Sequence, residues 1–277
     1  MEYAKEIHDK GPIVLESRYS SLETIYSTAS SSIVRAVRAA DKASVVVKIK
    51  TGKRDDIIIE ACIMQTKLTK HEHILRAFAC FDLPDGRLAI ETESCMCSME
   101  TYLTTLPFNK LPLPHIKSTA NQLLRALAYC HRQLVIHCDV KLANIFMTAN
   151  GCLKLADFGV SVILQSRQDQ LSPCSEVNPI GYRPPEILRM QSFGTPVDVW
   201  AAACVLLTLI DPILLPINKD IHTQVYFADT VHANIEEIFI NAPASMLHIC
   251  KQMLHPDPSC RPTAFSASLH PFCLSYF

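Results

Sequence analysis

The sequence predicts an α+β fold of two lobes, a small β-rich one with a single helix and a larger helical one, with a cleft between them. Three observations carry that expectation. Before residue 94, β-branched runs and turn signals surround one helical repeat. From residue 114 the apolar spacing turns helical. Between apolar runs, the stretch VIHCDVKLANIFMT at 135–148 sets a His, an Asp, a Lys and an Asn at fixed spacing.

The elements follow in order. Residues 1–20 read as an N-terminal extension, 21–93 as the small lobe and 94–277 as the large lobe, one domain in all, with the boundary near 93–99. VVVKIK at 45–50 is a β-branched run and reads as a strand. Ile57, Ala61, Met64 and Leu68 recur at helical spacing after it, and RAFACF and RLAIET read as further strands. Ile116, Ala120, Leu123, Leu124 and Leu127 line one face of a helix that starts near Pro114. VWAAACVLLTLI at 199–210 is too short to cross a bilayer and is flanked by Asp198 and Asp211, so it reads as a buried helix.

Composition narrows the function classes. Apolar residues make up 49% and charged ones 19% of 277 residues, as in globular proteins with a sizeable core. A net charge of −1 gives no field for nucleic acid or an anionic membrane, and the cationic stretch from Lys48 to Arg54 is local. MEYAKEIHDKGP has no apolar core and cannot act as a secretory signal. Twelve irregularly spaced cysteines then suit reduced thiols in an intracellular, cytoplasmic or nuclear protein. Cys95-x-Cys97 and His137-Cys138 lack a second ligand pair at zinc-finger spacing.

Spacing brings the polar residues together. IFMT and CLKLA flank Ala149-Asn150-Gly151, a strong hairpin signal. With Asn150 and Gly151 as a two-residue turn, cross-strand partners sum to 301, which sets Asn144 opposite Asp157. Asp139 lies five residues upstream of Asn144. Two carboxylates and an amide oxygen suit a hard divalent cation; capping a turn is the plainer role for Asn144 and Asp157. Glu60 borders the apolar stripe of the first helix, where a carboxylate is costly unless it is solvated at the edge or met by a cation. Lys48, between Val47 and Ile49, is the natural partner.

These residues resemble the eukaryotic-type protein kinases. Val45-Val-Val-Lys48 resembles the strand of the phosphate-binding lysine, and Glu60 its helix partner. His137-Cys-Asp139-Val-Lys141-Leu-Ala-Asn144 resembles the catalytic loop, Asp157-Phe-Gly159 the metal-binding triplet, and Pro184-Pro185-Glu186 the Ala-Pro-Glu motif. Asp198-Val-Trp200 resembles the start of the large-lobe central helix, and Arg261 the partner of Glu186. The series stands in family order over nearly all of residues 20–272.

The resemblance implies a bilobal protein-kinase-like fold with a nucleotide cleft, ATP and magnesium as cofactors, and serine or threonine hydroxyls of proteins as acceptors. Asp139 would accept or orient the hydroxyl proton, and Lys141, whose position marks the serine/threonine version of the loop, would steady the phosphate. Asn144 and Asp157 would hold magnesium, and Lys48, fixed by Glu60, would bind the α- and β-phosphates. Thr92 would be the gatekeeper, with the Glu93 and Cys95 backbones on the adenine. More narrowly, QLLRALAYCHRQLVIHCDVKLANIF, the short interval from Lys48 to Glu60 and the hinge SCMCSMETYL resemble the herpesvirus unique-short-region serine/threonine kinases.

The chain departs from the family in several places. If Val34 is the trailing valine of the phosphate loop, its three glycine sites hold Ser27, Ala29 and Ser32. Cys138 replaces the arginine that pairs with a phosphorylated activation segment, so activity is expected without that modification. Pro179 stands where a threonine is usual near the catalytic aspartate, Ala143 replaces an acidic residue, and Ala203 a glycine. Two functions of different classes follow: an active serine/threonine kinase, or a pseudokinase used as a binding or scaffolding module. All the groups that touch phosphate, metal or hydroxyl are kept, which favours the enzyme.

Overall fold

The computed structural model describes residues 14–28, 31–50, 54–166, 169–172, 178–211 and 220–274. A short helix α1 (Leu15–Arg18) leads into β1 (Tyr19–Ser27), β2 (Ser31–Arg38) and β3 (Ser44–Lys50). Helix α2 (Arg54–Cys62) continues as a π turn, Ile63–Lys67, closed by Leu68 N–H donating to Ile63 O at 3.0 Å. Then come β4 (Ala77–Asp82) and β5 (Leu88–Glu93), completing an antiparallel sheet in the order β1-β2-β3-β5-β4. The sheet begins at Tyr19, two residues before the boundary read from the sequence. Of the helical stripe, Ala61, Met64 and Leu68 are buried, and the side chain of Ile57 lies outside those described.

The large lobe opens with β6 (Cys97–Ser98) and α3 (Met99–Thr104), capped by the Ser98 hydroxyl accepting from Thr101 N–H. Helix α4 (Leu113–Arg132) takes Pro114 in its first turn, where a missing N–H costs nothing. Its predicted stripe, Ile116, Ala120, Leu123, Leu124 and Leu127, is buried throughout. After β7 (Val135–Ile136) come β8 (Ile145–Met147), β9 (Leu153–Leu155) and β10 (Val162–Ile163). The helices α5 (Pro185–Leu188), α6 (Pro196–Ile210), α7 (Ile221–Ile238), α8 (Ala244–Met253), α9 (Ala264–Ser268) and α10 (Pro271–Leu274) follow.

Every residue of α6 from Val197 to Leu209 is buried, so the apolar run is a core helix. Its polar Thr208 hydroxyl is satisfied by donating to Cys204 O at 2.8 Å. Among the described residues no helix is long and apolar enough to cross a membrane.

The cleft is set by how the lobes join. Ile63, Met64, Leu68 and Ile74 from the small lobe belong to the same core as α4 and α6. Just beyond, Leu155 N–H donates to His73 O at 2.8 Å and Leu75 N–H to Leu155 O at 2.9 Å. This pairing fixes the end of β9 two residues before Asp157, against the small lobe.

One predicted register is corrected. Ile145 pairs with Leu155, Phe146 with Lys154 and Met147 with Leu153, so partners sum to 300 and not 301. Thr148 N–H donates to Cys152 O at 2.9 Å, which makes Ala149-Asn150-Gly151 a three-residue loop. Gly151 takes φ 78° at its last position, the left-handed residue that such a loop requires. Asn144 therefore lies opposite Ala156, whose N–H donates to its carbonyl at 2.9 Å.

Candidate active site

The loop after β7 is held from beneath by one buried carboxylate. Asp198, in the first turn of α6, accepts from His137 N–H at 2.9 Å, from Cys138 N–H at 3.0 Å and from the His131 ring at 2.9 Å. Burial pushes its pKa up, but the His131 and His137 contacts outweigh that and hold it below the ordinary carboxylate value. Cys138 adopts φ 63°, a left-handed turn that costs a non-glycine residue, and these bonds hold it there. His137 is buried with its ring 4.8 Å from that of Phe158. Its Nδ1 accepts from Asp139 N–H at 3.2 Å, so Nε2 is the nitrogen that donates to Ala156 O at 3.0 Å.

Asp139 emerges from this turn with its carboxylate organised by two donors. Lys141 Nζ donates to Oδ2 at 2.8 Å and Asn144 Nδ2 to the same oxygen at 2.7 Å. Asn144 Nδ2 also donates to Asp139 O at 2.9 Å, which leaves its amide oxygen as the end for a cation. Asp157 follows Ala156 with φ 63°. Its neighbour Phe158 is fully buried and anchors the turn.

Across the cleft, β3 supplies Lys48 and α2 the carboxylate of Glu60. Lys48 Nζ donates to Glu60 Oε1 and to Asp157 Oδ1, each at 2.7 Å. Glu60 is 1% exposed, so the solvated alternative is excluded. Burial lowers the Lys48 pKa, yet Glu60 and Asp157 more than offset it and the lysine stays charged. Burial raises the Asp157 pKa, and Lys48, with Lys50 behind it, brings it down to about 2. Asp157 is thus an anion ready for a cation. Asp157 and the Asn144 amide oxygen are hard oxygen donors of the kind that could hold magnesium.

The other predicted residues are placed as follows. Ser27 and Ser32 face each other across the β1–β2 hairpin with hydroxyls 2.9 Å apart, and Val34 is buried below them; Ala29 lies outside the described residues. Thr92 is buried on β5 opposite Val46, its hydroxyl donating to Glu93 O at 3.3 Å. The Glu93 carboxylate accepts from Arg76 N–H at 2.8 Å and Lys154 at 2.9 Å. The Glu93 amide is committed to Arg76 O at 3.0 Å, which leaves the carbonyl as the backbone group for a ligand. Burial, with Glu93 nearby, pushes the Cys95 thiol up to about 12, so it is neutral.

The sequence reading missed two features. Lys50 donates to Glu60 Oε2 at 2.8 Å, and its alternation with Lys48 along β3 was the available signal. Glu91 is fully buried on β5 and accepts from Arg18, Arg38 and the Tyr19 hydroxyl, tying α1 to the sheet. No local pattern pointed to it, because its partners lie 53 to 73 residues away.

The segment from Asp157 to Glu186 is pinned at several points. Ser161 is buried, its hydroxyl donating to His137 O at 2.9 Å. Leu164 N–H donates to Leu134 O at 2.8 Å and Asn178 N–H to Cys138 O at 2.7 Å. Cys138 packs with Ile136, Leu164, Ile187, Phe193 and Val197 in an apolar cluster. At the segment's end Glu186 forms a two-pronged pair with Arg261, at 2.6 and 2.8 Å, over Trp200.

A sequence profile described as the protein kinase domain matches residues 19–273. Cyclin-dependent kinase 4 of Xenopus laevis is 32% identical over 198 residues, 63% of this chain and 61% of that protein. Cyclin-dependent kinase 2 of Caenorhabditis elegans is 30% identical over 69% of this chain and 53% of its own length. Probable serine/threonine-protein kinase MARK-C of Dictyostelium discoideum is 32% identical over 54% of this chain and 19% of its own length.

Proposed function

The chain belongs to the protein kinase domain family and has its bilobal fold, and from that premise we propose that it transfers the γ-phosphate of magnesium-bound ATP to serine or threonine hydroxyls of proteins. The observation that carries this reading is the charge arrangement in the cleft. Lys48 bridges Glu60 and Asp157 at 2.7 Å, facing a loop in which Lys141 and Asn144 both hold the Asp139 carboxylate.

Phosphoryl transfer asks a protein for positioning and charge neutralisation more than for covalent chemistry. Asn144 and Asp157 would hold magnesium, which neutralises phosphate charge when bound. Lys48 would bind the α- and β-phosphates, and Glu60 keeps it aimed. The Glu93 carbonyl and the Cys95 backbone would meet adenine beside Thr92. Asp139 orients the acceptor hydroxyl and takes its proton, while Lys141 stabilises charge on the transferred group.

Phosphoamino-acid analysis after incubation with labelled ATP, magnesium and a basic protein tests the acceptor. Label on serine and threonine is expected; label on tyrosine alone would contradict the reading. The narrower likeness to the herpesvirus unique-short-region kinases rests on the stretch QLLRALAYCHRQLVIHCDVKLANIF, the Lys48–Glu60 interval and the hinge. The glycine-free hairpin, closed by Ser27 and Ser32, favours a second reading, a kinase fold kept as a binding module. It predicts no label at all.

A further inference from the structure

Lys50 follows Lys48 by two positions on β3, so both side chains leave the same face of the strand. Both reach one buried carboxylate: Lys48 donates to Glu60 Oε1 at 2.7 Å and Lys50 to Oε2 at 2.8 Å. Lys50 Nζ also stands at the turn after β9. A Cβ placed on Gly159 would lie 2.9 Å from it and 3.3 Å from Asp157 Oδ1. The strand partner of Lys50 is Ser31, the first residue of β2 beyond the glycine-free hairpin. Two ammonium groups and two carboxylates therefore balance where the polyphosphate of a nucleotide would lie.

That balance changes on binding. With Asp157 turned to a metal, Lys48 and Lys50 share Glu60 alone, and one positive charge has no carboxylate to itself. A strongly anionic polyphosphate at the same place is the natural counter-charge. We propose that Lys50 is a second phosphate-binding cation of the nucleotide site. It shares Glu60 with Lys48 and supplies an anion contact where Ser27, Ala29 and Ser32 have replaced glycines. The proposal rests on the kinase reading above and goes beyond it, since Lys48 alone would serve that reading.

The plainer role for Lys50 is to neutralise Glu60, and the two roles separate by ligand. Calorimetric titration of wild type, Lys50→Met and Lys50→Arg with magnesium-ATP, and with adenosine by displacement, gives the comparison. Lys50→Met is expected to lose about ten- to a hundredfold in magnesium-ATP affinity, the worth of one charge-assisted hydrogen bond, with adenosine unchanged. Lys50→Arg should restore most of the loss. Lys50→Gln keeps a donor for Glu60 without the charge and carries the same comparison if Lys50→Met does not fold. Equal losses for both ligands, or no loss for either, overturn the proposal. A wild type that binds no magnesium-ATP overturns the kinase reading itself.

Discussion

Buried at the start of α6, the Asp198 carboxylate accepts from two successive amides of the loop after β7 and from the His131 ring. An amide in its place has one acceptor oxygen and turns donors toward donors. Asp198→Asn should therefore cost roughly 2–3 kcal/mol in urea unfolding. The pH dependence has a definite sign. Because the folded pKa of Asp198 lies below its ordinary value, its stabilisation is present above the unfolded pKa near 4 and fades as pH falls below it. Asp157, held at about 2, adds to the same acid loss between roughly pH 4 and pH 2. The Asp198→Asn variant should show a shallower stability slope in that window; an unchanged slope would place the acid sensitivity elsewhere. In the cleft, Lys48→Met and Asp157→Ala should each abolish phosphoryl transfer while the thermal transition survives. Each removes a separate charge from the site, and neither belongs to the large core around α4 and α6.

At the scale of elements, the segment from Asp157 to Glu186 is anchored by packing. Cys138, in the position of a phosphate-receiving arginine, is buried among Ile136, Leu164, Ile187, Phe193 and Val197. Of the two arginines within the segment, Arg183 donates to Asn178 O at 2.8 Å, and Arg167 lies outside the described residues. Ser161 is buried and bonded, so it offers no ready site for modification. Phosphatase treatment should leave the activity intact; a large loss traced to Ser166, Ser172 or Ser175 would count against this account. The β1–β2 hairpin gives a second expectation. Glycine at Ala29 and Ser32 should tighten magnesium-ATP binding, since each lost β-carbon lets backbone N–H groups approach the phosphates; calorimetry on the double variant checks it.

The elements that carry their own period were legible: β3 in VVVKIK, α4 in its buried stripe, α6 in its unbroken apolar run. The β8–β9 register was not, because Asn-Gly suits both a two-residue turn and the end of a three-residue loop. The Glu91 cluster needed the fold, since its partners lie 53 to 73 residues away, whereas Lys50 carried a signal in its alternation with Lys48 along β3.

Over the whole molecule, the site depends on two lobes sharing one core and on Glu186, at the end of the segment that starts at Asp157, being locked to the large lobe. Ile63, Met64 and Ile74 carry the small lobe into the core of α4 and α6, and the pairing of His73 and Leu75 with Leu155 sets Asp157 against Lys48. The Glu186–Arg261 pair is buried on both sides and stacked over Trp200, so removing one partner leaves an uncompensated charge. Glu186→Gln should destabilise the protein by roughly 3–5 kcal/mol in equilibrium unfolding. On the function proposed above, the loop from His137 to Asn144 works in phosphoryl transfer. Its most direct test is the magnesium-dependent rate of label transfer from γ-labelled ATP to a protein acceptor, for wild type and Asp139→Asn, with thermal unfolding alongside. Transfer by the wild type and its loss in a folded Asp139→Asn protein are the expected results. Equal rates in the two proteins, or no transfer by a folded wild type, would contradict that function.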